Sequence, residues 1–210
     1  AQNYLSIKDK KLSKIISQYK GHLKTRNNPF YSLCKAIVGQ QISVQSADSV
    51  WKRFSNRCKR VSPKNVESLT IQEIRDCGIT RQKTEYIKLL SANFINKNFK
   101  ASELKNLNDE EAISYLCKNK GIGKWTAEMF LIFNQNRQNL FPIQDIGLLK
   151  GISRTYATPY PPSQKDLDKF RKKWSPFCTV ATWYMWRSVD PVVVESVSYT
   201  HLRAHETRED

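Results

Sequence analysis

Residues 121–128 read Gly-Ile-Gly-Lys-Trp-Thr-Ala-Glu, and the fold predicted for this chain depends on them. Apolar residues recur at helical spacing on both sides of this stretch, with Ile113 and Leu116 before it and Met129 after it. The pattern therefore predicts a helix, a tight turn and a second helix, a hairpin that occupies about residues 108–136. Other amphipathic stretches along the chain have the same helical period, and no convincing alternating strand pattern occurs, so we predict an all-α fold.

The two glycines of the turn, Gly121 and Gly123, allow positive φ and let another backbone or a phosphate come close. The second helix then begins with N–H groups that have no partner within the helix, and such a helix end favours an anion. A glycine turn by itself is weak evidence of function, because most such turns only join two helices. A glycine-linked pair of core helices is therefore the alternative at this point.

Together with Phe-Pro-Ile-Gln-Asp at 141–145, residues 121–128 resemble the helix-hairpin-helix superfamily of DNA base-excision glycosylases. The resemblance is to the 3-methyladenine DNA glycosylase II family in particular, which shares the turn, the tryptophan at 125 and an aspartate twenty residues later, here Asp145. It extends over roughly residues 5–195 and implies two small helical subdomains that flank a cleft. We therefore expect one glycosylase domain over residues 1–195.

Gly-Gln-Gln-Ile-Ser at 39–43 matches another sequence of the same family, in a corner between two predicted helices. The resemblance implies that this corner approaches the minor groove of DNA. It also implies that Gln40 or Gln41 fills the gap left by an extruded base, with Ser43 beside them at the DNA. The alternative is that the two glutamines cap and cross-link neighbouring helices.

Gly-Ile-Thr-Arg-Gln-Lys at 78–83 matches the family's Gly-Leu-Ser-x-x-Lys turn. In that family the apolar residue, here Ile79, and the basic residues of the turn are expected near the DNA backbone. Packing of Ile79 between helices is an equal alternative. The sequence departs from the family at Lys120, where proline usually precedes the glycine turn, and at Cys178, where arginine is usual. Lys120 could give the turn an additional phosphate contact.

A base inside a duplex is shielded from attack, so an enzyme that cleaves its glycosidic bond must extrude the nucleotide. The resemblance implies which residues bind the DNA and which perform the chemistry. Gly121, Gly123, Lys124 and Thr126 would hold the DNA backbone. Asp145 would be the catalytic carboxylate, since cleavage of an N-glycosidic bond builds positive charge on the sugar. Its alternative role is to cap the helix that follows.

The expected base pocket consists of Trp125, Trp186 and Met129. Alkylated purines are cationic, and aromatic faces attract cations by roughly 0.5–2 kcal/mol. Trp125 also occupies the position at which lyase-competent relatives have lysine, while Lys124 points about 100° away on the helix. We therefore expect hydrolysis of alkylated purines, notably 3-methyladenine and 7-methylguanine, without lyase chemistry. The alternatives are a glycosylase for uracil, hypoxanthine or an oxidised purine, and a non-catalytic DNA-binding module.

The formal charge of +16 and the isoelectric point of about 9.7 indicate a polyanionic partner. Double-stranded DNA with alkylated bases is the partner that the resemblance implies. Neither a run of eighteen apolar residues nor a signal-peptide pattern occurs, so we expect a soluble monomer in the cytoplasm, at the nucleoid, with no membrane partner.

The five cysteines are scattered and odd in number, which predicts buried, reduced thiols and neither a disulfide framework nor a zinc site. The superfamily's hairpins often bind a monovalent cation, and we expect no other cofactor. Residues 196–210 lack apolar periodicity and likeness to the family, so we interpret them as a non-native, disordered tail. His201 and His205 lie in this tail at helical spacing, which is weak evidence for a metal.

Overall fold

The computed structural model describes residues 1–23 and 25–189, apart from the side chain of Val44. Every regular element within these residues is a helix, which confirms the predicted all-α class. The tail predicted at 196–210 lies outside the described residues. The helices are α1 Gln2–Lys8, α2 Lys10–Gln18, α3 Pro29–Gly39, α4 Val44–Cys58, α5 Pro63–Ser68, α6 Ile71–Asp76, α7 Arg81–Ile95, a 3-10 helix Ala101–Asn106, α8 Asp109–Cys117, α9 Lys124–Phe133, α10 Ile146–Tyr156, α11 Gln164–Trp174 and α12 Cys178–Val189.

Polar side chains set many of the helix starts, as the sequence predicts. Asn28 accepts a hydrogen bond from Tyr31 N at 3.0 Å and begins α3. Thr70 and Asn108 each form a complete capping box with the glutamate three residues later, at the starts of α6 and α8. These local bonds satisfy backbone N–H groups that a helix leaves without partners.

The helices form two groups that are not consecutive in the sequence. Helices α1, α2, α10, α11 and α12 pack with one another, and helices α3 to α9 make up the second group. Asp9 joins the N-terminal helices to the C-terminal ones, because its buried carboxylate accepts hydrogen bonds from Tyr156 Oη at 2.8 Å and Trp174 Nε1 at 3.1 Å. The first two helices and α10 to α12 therefore build one half of the described part of the protein.

Helix α9 lies where the two groups meet, and this position brings the candidate site together. Its last residue, Phe133, stacks on Trp186 of α12 at 5.7 Å between ring centroids. The loop after α9 is also tied to α12, since Leu140 N donates to Thr179 Oγ1 at 3.0 Å. These contacts fix the direction in which the chain returns towards Asp145.

Among the described residues, no helix combines the length and the apolar character that crossing a membrane requires.

All five cysteines are free thiols, and four of them are buried as predicted. Cys117 is the exception, because it is the last residue of α8 and lies exposed beside the glycine turn. The prediction of a buried thiol is therefore wrong at this one position.

Candidate active site and nucleic-acid interface

The glycine turn connects α8 to α9, and its two glycines serve different purposes. Gly121 has φ +89°, and a Cβ on it would lie 2.3 Å from the ring of Tyr86, so both the backbone and the packing require glycine. Gly123 has φ −87°, and a Cβ there would meet nothing within 4 Å. The expectation of positive φ therefore holds only at Gly121, while Gly123 leaves the start of α9 open to an approaching group.

Asn119 holds the turn from inside. Its side-chain amide donates to Leu116 O at 3.2 Å and accepts from Asn93 Nδ2 at 3.0 Å, while its carbonyl accepts from Ile122 N at 3.0 Å. Asn119 is buried, and sequence reasoning missed it. The available signal was an amide side chain two residues before the glycine of a predicted turn, because such a side chain can bond several turn groups at once.

The first turn of α9 presents backbone N–H groups at the open end of the helix. Gly123 is its N-cap and provides no side-chain acceptor, and Lys124 is exposed beside it. Thr126 is buried, and its hydroxyl accepts a hydrogen bond from Gln40 Nε2 at 3.3 Å. The predicted DNA contact of Thr126 is therefore corrected for the side chain, which is committed to the protein interior.

The corner between α3 and α4 separates the roles of its two glutamines. Gln40 Nε2 donates to Gly121 O at 2.8 Å, so Gln40 cross-links the corner to the hairpin, as the alternative interpretation stated. Gln41 is exposed and has φ +57°. Ser43 caps α4 through a 3.2 Å bond from Ser46 N and remains exposed. Gln41 is thus exposed to solvent, whereas Gln40 is bonded to the hairpin.

A groove of about 920 Å³ lies between this corner and the hairpin. Its walls include exposed or half-exposed residues from the corner, from α7 and from the turn, among them Gln41, Ile42, Arg81, Tyr86, Lys120 and Trp125. The groove therefore brings together three stretches that the sequence analysis considered separately, with lysine and arginine at its edges.

Two residues of the 78–83 stretch make contacts within the protein. Ile79 is only 4% exposed, which supports helix packing and corrects the expected DNA contact. Lys83 Nζ donates to Val38 O at 3.0 Å and to Gln40 O at 2.5 Å. Burial lowers the pKa of Lys83. The ammonium group is thus bonded to carbonyls at the end of α3, and its expected position near the DNA backbone stays a prediction.

Asp145 lies at the end of the loop before α10 and is 1% exposed. Its Oδ1 accepts from Trp186 Nε1 at 2.6 Å and from Leu148 N at 2.7 Å, while its Oδ2 accepts from Trp125 Nε1 at 3.1 Å. Burial raises its pKa, and the hydrogen bonds from Leu148 and the two indoles partly oppose that rise. Asp145 also caps α10, so its two proposed roles are compatible.

The expected base pocket is only partly open to the groove. Trp125 is half-exposed and lines the groove, whereas Trp186 and Met129 are buried. Met129 is fully inside the core, which corrects its predicted role as a pocket wall. Trp186 lies behind the groove and holds Asp145, because its ring stacks on Phe133 while its N–H bonds the carboxylate.

Gly147 permits this arrangement and was not singled out from the sequence. A Cβ on Gly147 would lie 2.8 Å from Trp186 Cδ1 and 3.1 Å from Asp145 Oδ1. Any side chain would therefore displace the indole or the carboxylate. The available signal was a glycine two residues after the aspartate, inside the first turn of a helix, where glycine is otherwise unfavourable.

Comparison with known families shows which family the chain belongs to. Residues 34–176 match the family described as "HhH-GPD superfamily base excision DNA repair protein". The chain belongs to this superfamily. The matched range contains the corner, the groove, the hairpin and Asp145, so the site described above lies inside the shared domain.

Individual members of the superfamily are similar over most of the chain. DNA-3-methyladenine glycosylase 1 of Schizosaccharomyces pombe is 29% identical over 85% of this chain and 81% of its own length. The crystal structure of DNA-3-methyladenine glycosidase from Bacillus halodurans has a TM-score of 0.77 at 28% identity, covering 93% of this chain and 91% of that one. The 3-methyladenine DNA glycosylase of S. pombe in complex with abasic DNA also gives 0.77 at 28% identity, with 89% and 94% covered.

The departures from the superfamily resemblance fall in two different environments. Lys120 is exposed at the glycine turn and lines the groove. Cys178 is buried at the start of α12, where its thiol donates to Arg171 O, and burial raises its pKa to about 11. The thiol is therefore part of the core and provides no basic contact.

Glu128 is a second buried carboxyl near the site, and sequence reasoning did not find it. It is 4% exposed, and its Oε2 has no hydrogen-bond partner within the described residues. Burial raises its pKa to about 7, and the negative charge of Asp145 adds to the rise, while Lys124 and Arg171 oppose it. The residue is thus about half protonated at neutral pH and largely protonated in mildly acidic solution.

Proposed function

We propose that this chain is a monofunctional DNA glycosylase that releases alkylated purines, notably 3-methyladenine and 7-methylguanine, from double-stranded DNA in base excision repair. The observation that carries the proposal is the buried Asp145 carboxylate, held between the indoles of Trp125 and Trp186 beside the hairpin groove. Similar proteins named for 3-methyladenine, one of them in complex with abasic DNA, support the same substrate class.

The DNA backbone would bind at the open end of α9. N–H groups around Gly123 can hold a phosphate, with Lys124 and Lys120 exposed beside them. Gln41 at the opposite wall of the groove would enter the duplex where the target nucleotide leaves it. The net charge of +16 strengthens this binding without selecting a sequence.

The sugar of the extruded nucleotide would then reach Asp145 at Oδ2. Leu148 N and Trp186 Nε1 both donate to Oδ1, whereas Oδ2 accepts from the groove-lining Trp125. Approach of the sugar would replace the longer Trp125 bond and leave the other two in place. The carboxylate would therefore keep its orientation while its free oxygen faced the reacting carbon.

Bond cleavage would proceed with the electron pair leaving on the purine. An N3- or N7-alkylated purine is cationic, so it departs as a neutral base and needs no proton from the enzyme. Positive charge develops at C1′ of the sugar, and the Asp145 carboxylate stabilises it. Water adds to C1′ and gives up a proton to the carboxylate or to solvent, which leaves an abasic site.

No cofactor enters this reaction scheme. Within the described residues no group of His, Cys, Asp and Glu is arranged to hold a metal. A monovalent cation at the hairpin would have to use turn carbonyls such as those of Asn119 and Gly121, which already accept hydrogen bonds.

We also propose that the enzyme acts as a monomer, in the cytoplasm at the nucleoid, because its substrate is there.

Base release from methylated duplex DNA by the wild type and by Asp145→Asn tests the proposal. We expect release of 3-methyladenine and 7-methylguanine by the wild type and a loss of at least about 100-fold in the variant, with DNA binding retained. Duplexes carrying uracil, hypoxanthine or an oxidised purine provide the substrate controls. Preferential release of one of those bases would assign another lesion, and DNA binding without any release would indicate a binding module.

A further inference from the structure

The tip of the corner between α3 and α4 has a strained backbone. Gln41 has φ +57°, a conformation in which a side chain with a Cβ is unfavourable. Such a residue persists only where its surroundings hold it, and strain of this kind concentrates at functional positions. Gln41 is exposed at the wall of the groove, so the strain lies at the surface for which we propose DNA binding.

Lys83 holds the segment immediately before this tip. Its ammonium group donates to Val38 O at 3.0 Å and to Gln40 O at 2.5 Å, where α3 ends. A cation at a helix C-terminus is favourable because the last carbonyls carry partial negative charge and have no partners within the helix. The bond to Gln40 O fixes the peptide group that directly precedes Gln41.

Gln40 fastens the same segment to the hairpin from the other side. Its Nε2 donates to Gly121 O at 2.8 Å and to Thr126 Oγ1 at 3.3 Å. Backbone and side chain of Gln40 are thus held independently, by Lys83 of α7 and by the glycine turn. The residue directly before Gln41 is consequently held by two separate parts of the protein.

We propose that Lys83 is a positioning residue for base extrusion, which acts by holding Gln41 in its strained conformation and makes no contact with DNA phosphate. This inference rests on the proposed function, in which Gln41 enters the duplex at the extruded nucleotide. Without Lys83 the corner relaxes, the side chain of Gln41 points elsewhere, and the extruded state of a paired nucleotide is less stable. The chemistry at Asp145 is untouched.

The test compares Lys83→Met with wild type on two substrates. One duplex has 7-methylguanine opposite cytosine, and the other has it opposite an abasic site, where no pair must be broken and extrusion costs less. We expect single-turnover release to fall about 30-fold on the paired duplex, since misplacement by about 1 Å costs on the order of 100-fold. On the abasic-opposed duplex we expect less than about a 3-fold change.

Lys88→Met is the matched control. Lys88 lies on the same helix, α7, and likewise donates to two carbonyls at the end of a helix, here α5. These are Glu67 O at 2.6 Å and Leu69 O at 3.1 Å, and the Glu67 carboxylate is also its ion-pair partner. It caps α5 and not the groove corner. Its replacement should lower stability comparably and leave the ratio of the two release rates as in wild type.

Two further measurements separate positioning from phosphate binding and from general damage. Gln41→Ala should show the same dependence on the opposite base, and the double variant with Lys83→Met should lose little more than either single variant. The salt dependence of binding to undamaged duplex should be unchanged in Lys83→Met, whereas loss of a phosphate contact would reduce the logarithmic slope by about one.

Equal loss on both substrates, additive effects with Gln41→Ala, or a reduced salt slope would each overturn the proposal. If Lys83→Met does not fold, Lys83→Gln retains one amide donor, and the same paired-duplex defect is expected in weaker form. Fluorescence of 2-aminopurine at the target position reports extrusion without base release. A wild type that extrudes this base but releases no alkylpurine would refute the proposed function. Weaker extrusion by Lys83→Met in the fluorescence measurement would then still support the role of Lys83, and equal extrusion would overturn it.

Discussion

Trp186 Nε1 lies 2.6 Å from Asp145 Oδ1, and this contact couples α12 to the candidate catalytic group. The indole is buried and stacked on Phe133, so it cannot turn away without disturbing the core. A hydrogen bond from a fixed donor favours the ionised carboxylate, which burial alone would disfavour. Trp186 thus stabilises the charge on which the proposed reaction depends.

Trp186→Phe tests this coupling, because phenylalanine keeps an aromatic ring and removes the donor. The pKa of Asp145 should rise further, and the acid limb of the base-release profile should move to higher pH, since the reaction requires the ionised form. At neutral pH we expect roughly a 10-fold slower reaction, as a hydrogen bond to a charged group contributes about 1.5–3 kcal/mol.

Trp125→Phe is the companion variant for that experiment. Its bond to Asp145 is longer, at 3.1 Å, and in our proposal the sugar replaces it. We therefore expect the pH profile of base release from the enzyme–DNA complex to move less than it does with Trp186→Phe. A larger displacement would mean that the Trp125 bond persists during the reaction, and the proposed approach of the sugar to Oδ2 would be wrong.

Gly147→Ala and Gly151→Ala form a second matched pair on α10. An alanine at 147 would press on Trp186 and Asp145, at 2.8 and 3.1 Å, whereas one at 151 would lie 2.6 Å from Met185 O on α12. Both should lower the free energy of unfolding by about 1–3 kcal/mol, measured by urea denaturation. Only Gly147→Ala should also reduce base release per folded molecule. Equal activity of the two folded variants would contradict the role assigned to Gly147.

Glu128→Gln should remove a pH dependence of stability. The folded pKa of about 7 lies above the ordinary value of 4.5, so the folded state binds more protons between these limits and stability falls as pH rises through them. The loss amounts to roughly 3 kcal/mol, since one pKa unit corresponds to about 1.4 kcal/mol. Thermal or urea unfolding from pH 4 to pH 8 should therefore give a flatter curve for the variant, and parallel curves would refute the assignment.

Borohydride should trap no covalent complex between the wild type and DNA containing an alkylated purine. Lys124 is exposed at the start of α9, while Trp125 takes the position that contacts Asp145. The product strand should remain intact until alkali or heat cleaves the abasic site. Efficient trapping on the same DNA would show Schiff-base chemistry and would end the assignment as a hydrolase alone.

Local sequence patterns predicted the helical class, the hairpin and several helix starts. Capping residues such as Asn108 act within one turn of the chain, and helical periodicity reports burial of a face without knowledge of its partner. The resemblance at residues 121–128 and at Asp145 also located the candidate site. The structure places Asp145 and Trp125 in contact, as that interpretation requires.

Long-range packing decided which side chains remain free for a ligand. Gln40 and Gln41 are neighbours in sequence, yet Gln40 bonds a glycine turn 81 residues away while Gln41 is exposed. Lys83 and Ile79 match residues of a turn expected near DNA, yet Lys83 also bonds carbonyls at the end of α3 and Ile79 is buried in the core. A sequence motif specifies residue types and spacing, whereas the partner of each polar atom depends on elements brought together only by folding.

The sequence by itself determined that this chain is a basic, all-helical protein with a glycine hairpin and an aspartate at a fixed distance along the chain. Only the tertiary structure decided that Asp145 is buried between two indoles, that Gly147 makes room for one of them, and that Glu128 shares the same charged neighbourhood. The reason is physical: helix formation depends on nearby residues, while desolvation and hydrogen-bond geometry depend on the whole packed core.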